Sequence, residues 1–360
     1  MAADQVTLVS RGSDRALLDS RCSPPGVDWW FAGADGRVGF TDTLLIANPA
    51  STAAEVSVTV LSSKGALSPP HLQAVRVPAS GRLALSMASV APDVAVLAVH
   101  VQATSGAVTA AMIDRRTRGI TPLGSDFLPS TAAPARSLVV PGFLGGAGTR
   151  QLVLADPGSV DATVNLRLVT ASGAFVPAGS GQIIVRAGHT VTVDVTKPFS
   201  GSTGAVTLTS DQPVVAQGLS VVPSAGKLSD LQWQAAIPPL RAAGAVADGT
   251  EPDGGHCLLL LTAPGAAATV SLRSTSGASR TIAVAAGHSA EVDVTATVGG
   301  SARVPASFVV TPASGGPVYI TRALTFGGAH GALVTSEPVL ALPSPIRLPQ
   351  VRLDPRLAVR

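Results

Sequence analysis

The chain has little aromatic surface, few cysteines, few lysines and few charges of either sign. Aromatic residues make up 3% of its 360 residues, with three Trp and one Tyr, which leaves little from which to build the stacking platforms that sugar-binding modules use. Lysine accounts for only three of the 25 basic residues, Lys64, Lys197 and Lys227. The net charge of +3 is a weak field over this length, and no basic–aromatic interleaving appears, so no nucleic-acid partner is implied. No window of about 18 residues is free of polar or helix-breaking residues, which removes a transmembrane helix. The opening MAADQVTLVSRGSDR lacks the apolar run of a signal peptide. The expectation is an exported chain whose export segment precedes Met1, because Pro- and Gly-rich β repeats poor in lysine are commoner outside the cytoplasm. Any membrane association then runs through an N-terminal anchor outside this sequence.

Two cysteines, Cys22 and Cys257, form no CxxC pair and no zinc-ligand set. G-x-S-x-G and H-E-x-x-H are missing, so no catalytic residue, metal or cofactor is nominated. Val222–Lys227 lacks the first glycine of a phosphate loop and is followed by Leu228, where Ser or Thr is required.

What is present is apolar and periodic. Hydrophobic residues reach 46%, with 37 Gly and 28 Pro in no collagen-like order, a composition of many short strands and turns. Thr43–Gly65, TLLIANPASTAAEVSVTVLSSKG, returns as Gln151–Gly173 and again, shortened, as Cys257–Gly277. Pro49, Pro157 and Pro264 lie 108 and 107 residues apart; the turn glycines Gly81, Gly188 and Gly287 lie 107 and 99 apart. A fixed period announces tandem units. Within each period, short alternating runs separated by Gly, Pro, Ser and Asp turns read as six or seven antiparallel strands. The expected fold is all-β: three tandem antiparallel, immunoglobulin-like β-sandwich modules, with a closed barrel as the alternative for each. A lead-in covers 1–26, the modules 27–135, 136–241 and 242–349, and a tail 350–360. Phe127–Pro141, Ala236–Gly244 and Val339–Pro349 read as stiff proline-rich connectors.

A bond between Cys22 and Cys257 would bring the lead-in onto module three and close the modules into a pseudo-threefold ring; two unbonded thiols are the other possibility. His189 and His288 sit at equivalent Ala-Gly-His turns, either as a repeated imidazole site or as solvent-facing hairpin turns. Asp114–Arg118, DRRTR, is the densest charge cluster, and Arg115, Arg116 and Arg118 are candidates for an anionic polymer or for a solvated strand end. Trp29 and Trp30 are candidate binding aromatics, although neighbours on a strand face opposite sides and one belongs in the core; Trp233 and Tyr319 complete the amphipathic aromatics. Asp248, Glu251, Asp253 and His256 match no calcium-loop spacing and read as a polar turn. The tail arginines Arg347, Arg352, Arg356 and Arg360 are spaced out.

DTLLIANPASTAAEVSVTVLSSKG, ADPGSVDATVNLRLVTASG and SDQPVVAQGL resemble an uncharacterised family of exported actinobacterial proteins, over roughly residues 20–345. The Trp pair after a Cys-containing lead-in adds to the likeness. The resemblance implies an extracytoplasmic, envelope-associated protein and supplies no catalytic residues. The function expected is therefore a non-enzymatic scaffold or binding protein of the cell envelope. Loops and inter-module grooves would recognise an envelope protein or a cell-wall polymer. A glycan-binding protein and an envelope hydrolase with dispersed catalytic residues are the alternatives.

Overall fold

A computed structural model describes residues 3–67, 69–179, 181–249, 255–298 and 307–342. The tail 350–360 with its arginines, Arg347, Glu251 and Asp253 lie outside the described residues. The fold is all-β, 61% strand and 4% helix, in small antiparallel sheets. Among the described residues no helix is long and apolar enough to cross a membrane.

The organising stretch alternates as read. Ala54–Ser62, Ala162–Thr170 and Ala268–Ser274 bury every second side chain over most of their length, as a half-covered strand must. The same pairing order then appears three times. In the first period Asp28–Ala34, Leu97–Ser105 and Ala54–Ser62 lie side by side, with Val75–Val77 beyond. A second sheet orders Arg82–Ser86, Thr43–Ala47, Thr109–Arg118 and Thr121–Leu128. The second period reproduces this with Ala135–Phe143, Ala162–Thr170 and Gln182–Val185 in one sheet, and Thr190–Asp194, Thr149–Ala155 and Asp230–Ala235 in the other. There the long strand Gly204–Val222 crosses from sheet to sheet. The third period does so with Gly244–Val246, Phe308–Gly315, Ala268–Ser274 and Ser279–Val284, then His288–Asp293, Gly255–Ala263, Tyr319–Gly328 and Gly331–Pro338. This order differs from that of an immunoglobulin domain, whose first two strands are neighbours in one sheet; here the first strand of each period pairs instead with a late one, Leu97–Ser105, Gly204–Val222 or Phe308–Gly315.

Three expectations change. Cys22 and Cys257 are not bonded: Cys22 is exposed, Cys257 buried. The lead-in nevertheless reaches the third repeat, as a hairpin of Asp4–Val9 and Ala16–Arg21. Its Leu17 joins the core of Leu259, Leu261 and Val310, and Asp19 forms an ion pair with Arg322. Burial and a charge pair thus hold the seam where a disulfide was one of the possibilities. The proline connectors, secondly, are partly strand: Ala135–Phe143 pairs with Gly204–Val222, its register shifting between Val140 and Phe143, around Pro141. That irregularity is where a residue without an N–H fits. Thirdly, the ring has four positions, because the hairpin occupies one: four sheets form a four-blade, propeller-like ring. Their inner strands are Ala16–Arg21, Thr121–Leu128, Asp230–Ala235 and Gly331–Pro338, each packed against the next.

Candidate functional site

At the ring axis apolar strands carry polar side chains inward. Asp126 accepts the Trp233 backbone N–H at 2.9 Å and the Thr335 hydroxyl at 2.8 Å. Asp230 accepts the N–H of Ser125 at 3.2 Å and of Val334 at 2.9 Å. Each carboxyl thereby ties its own repeat to both others. Arg15 of the hairpin donates to the carbonyls of Ser229, 3.1 Å, and Ala332, 2.6 Å. Burial raises the pKa of Asp230 to about 7 against the backbone donors that favour its charge. Burial also pushes Asp126 well above the carboxylate range, again opposed by its hydrogen bonds. Asp19 rises to about 6, burial outweighing Arg322, and burial, followed by Asp19, raises Glu337. Buried polar groups without partners would be costly; Asp126, Asp230 and Arg15 have theirs across repeat boundaries, whereas Asp19 Oδ1 has none among the described residues.

A second buried cluster lies between the first repeat and Trp233. Arg116 pairs with Asp114 at 2.8 Å, and its guanidinium lies over the rings of Phe40 and Trp233 at 5.2 and 5.4 Å. Trp233 Nε1 donates to Asp114 at 3.0 Å. Asp42 has its pKa pushed up to about 10 by burial and by the neighbouring Asp114. Both carboxyls are buried, at 1% and 0% exposure.

The sequence candidates divide accordingly. Trp29 and Trp30 are both buried, because Asp28–Ala34 is covered on both faces; Trp30 stacks on His100 at 3.9 Å. Arg116 is interior, whereas Arg115 and Arg118 are exposed, with Arg115 facing Asp14 at 3.5 Å. His189 and His288 each fold back onto the carbonyl two residues earlier at 2.7 Å. Both sit at repeat seams, beside Gly65 and Gly173 of the preceding repeat. Adjacent hydroxyls seal the contact, Thr190 to the Val96 carbonyl and Ser289 to that of Val169. Among the described residues no cluster of His, Cys, Asp and Glu is suited to a metal ion.

The sequence reading missed the axial carboxyls. Their signal is a Ser–acid pair inside an apolar strand near each repeat's end: Ser125-Asp126, Ser229-Asp230 and Ser336-Glu337. It also missed that the hairpin turns gather at one end of the axis. Leu228 N–H bonds the His330 carbonyl, and the Ser229 hydroxyl bonds that of Leu123. A groove of 260 Å³ lies there, lined by Arg118, Leu123, Ser224 and Lys227. Arg118 and Lys227 of the lining are exposed, as is His330, whose carbonyl accepts from the lining residue Leu228.

No curated protein matches the sequence. A solved structure, the tetra-tandem repeat in the extending region of a large adhesion protein, aligns at 13% identity over 94% of this chain and 80% of its own, with a TM-score of 0.12; no shared fold follows from that score. A family model does match, across residues 1–295. By that match over most of its length, the chain belongs to a family of unknown function, DUF5719.

Proposed function

We propose that this protein is a non-enzymatic, exported scaffold of the cell envelope. Three two-sheet sandwich modules and a lead-in hairpin form one rigid ring, and the turn-bearing end of the ring recognises an anionic wall polymer or an acidic face of an envelope protein. The observation that carries the reading is the convergence of Arg118 and Lys227 at that end, both lining a 260 Å³ groove. Among the described residues neither has an ion-pair partner, so their charges remain available to a ligand. Rigidity supports the same reading, since buried cross-ties between repeats hold the turns at fixed spacing and reduce the entropy lost on binding.

Inorganic polyphosphate serves as the probe. Binding should weaken as salt rises, because exposed charges are screened beyond about 10 Å at 0.1 M. Arg118→Glu with Lys227→Glu should reduce affinity about tenfold or more, a loss of about 1.4 kcal/mol. Arg167→Glu, on a strand of the second repeat, should leave it unchanged. Equal loss from both substitutions would reject the assignment of the turn end.

A further inference from the structure

One position at the end of the organising stretch's first apolar run differs in each repeat: it is Asn48 in the first, Asp156 in the second and Ala263 in the third, each just before the repeated proline. Asn48 is hydrogen-bonded on every side. Its backbone N–H donates to the Gly81 carbonyl at 2.9 Å, and its Oδ1 accepts from the Ala50 N–H at 3.0 Å. Its Nδ2 donates to three carbonyls, those of Thr52 at 2.8 Å, Val77 at 3.2 Å and Pro78 at 3.1 Å. The amide thus pins the loop after its strand to the turn 78–81.

Asp156 repeats these contacts at a constant offset of 108 residues. Its N–H donates to the His189 carbonyl at 3.0 Å, and its Oδ1 accepts from the Gly158 N–H at 2.7 Å. The His189 N–H closes on the Arg186 carbonyl at 3.0 Å, as Gly81 closes on Pro78. Because Oδ1 keeps the same contact, Oδ2 takes the place of Nδ2. The side chain is 0% exposed, and Oδ2 has no hydrogen-bond partner among the described residues. The same offset turns Thr52, Val77 and Pro78 into Val160, Val185 and Arg186, whose carbonyls can only accept. A bare carboxylate oxygen among acceptors is buried at a heavy cost. A carboxyl O–H in that place donates as the amide does.

The charges nearby do not relieve the acid. After burial, Asp161 on the same loop and Asp211 on Gly204–Val222 raise its pKa, against the N–H groups of Gly158 and Ala162. Arg186 on the turn and Lys64 on the facing turn of the first repeat are exposed, and His189 directs Nδ1 to its own Ala187 carbonyl. The acidic side chains do not gather into a cluster suited to a metal ion among the described residues, so a proton fits Oδ2 better than a cation.

This acid lies under a seam. The Asp156 carbonyl accepts from the Gly188 N–H at 2.8 Å. The same turn meets the first repeat through a bridge between Ser62 and His189, and the Thr190 hydroxyl bonds the Val96 carbonyl at 2.7 Å. In the third repeat Gly287 N–H bonds the Ala263 carbonyl at 2.8 Å, above a side chain that cannot titrate.

We propose that Asp156 is a proton latch on the seam between the first and second repeats: as a neutral acid it donates through Oδ2–H to the carbonyls of Val160, Val185 and Arg186, and loss of the proton loosens the turn 186–189 from the first repeat. An acid that is neutral when enclosed and ionised when released stabilises the seam at low pH. That stabilisation is lost as pH rises from the ordinary carboxylate range through the raised pKa.

Hydrogen exchange of the intact chain, resolved by residue and corrected for intrinsic rates at each pH, reads the latch. Above about pH 4 the ratio of Gly188 to Gly287 protection should fall by up to about tenfold per pH unit, since opening at Gly188 then releases one proton. Asp156→Asn installs the first repeat's own side chain, and it should hold that ratio level and keep Gly188 protected at high pH. In the unaltered chain the carboxyl carbon of Asp156 should titrate above the ordinary carboxylate range by NMR, a reading that needs no variant to fold. A ratio independent of pH, a slope retained in Asp156→Asn, or a carboxyl titrating in the ordinary range would each overturn the proposal. Gly188 protection at pH 7 that rises with calcium and falls with a chelator would also overturn it, in favour of a cation at Oδ2. None of these readouts depends on polyphosphate binding at the turn end.

Discussion

Asp42 and Asp114 show how one environment gives two carboxyls different duties. Asp114 accepts from Arg116 and from the Trp233 indole. Asp42 has only the Asp35 N–H and Asp114, so burial leaves it holding a proton at neutral pH. An amide mimics a protonated acid but not a paired carboxylate. Asp42→Asn should therefore change stability by less than about 1 kcal/mol at pH 7. Asp114→Asn strands a buried guanidinium and should cost about 3 kcal/mol or more, both measured by urea unfolding. This asymmetry was hidden in the sequence, where Arg116 sits among exposed arginines in DRRTR. The strand's period of two, continued through the cluster, was the available clue: Arg116 shares a face with Asp114 and Met112, and Arg115 does not.

At the scale of elements, the repeated strands were legible because their side chains alternate and their turns need glycine at positive φ. Gly188 and Gly287 stand at φ 75° and 73°, as the repeated Ala-Gly-His turn predicted. The connectors were read as stiff extended struts, and one of them is in part a strand because Pro141 sits at a register irregularity that needs no donor. The lead-in hairpin was half legible: its contact with the third repeat was anticipated through Cys22 and Cys257, but the contact is made by Leu17 and Asp19. Leu17 is fully buried in the third repeat's core, so Leu17→Ala should destabilise by about 3 kcal/mol. Hydrogen exchange should rise in Leu259–Leu261 before it rises in Val164–Leu168 of the second repeat. Uniform acceleration across all repeats would mean that the hairpin is not a local part of the third.

For the whole molecule, the axis determines how the ring responds to pH. Four strands converge there, bringing Asp19, Asp126, Asp230 and Glu337 into the interior together with Arg15 and Arg322. An unfolded carboxylate ionises near pH 4, but Asp19 and Asp230 in the ring hold their protons to about 6 and about 7. The folded state thus binds more protons than the unfolded state from about pH 4 upward, and linkage requires stability to fall as pH rises through that window. Arg322 opposes the trend at Asp19, and the backbone donors oppose it at Asp230, but in both cases burial is the larger effect. The midpoint of thermal unfolding should drop by about 5 °C or more between pH 4.5 and pH 7.5, opposite to a protein stabilised by exposed, paired carboxylates. Asp19→Asn combined with Asp230→Asn removes two of the titrating groups. The double variant should start less stable, because an amide replaces one acceptor of each tie, yet show a distinctly flatter dependence on pH. An unchanged slope would place the titrating carboxyls elsewhere than the axis. The rigidity required of the turn-bearing end would then have to come from the apolar seams between repeats alone.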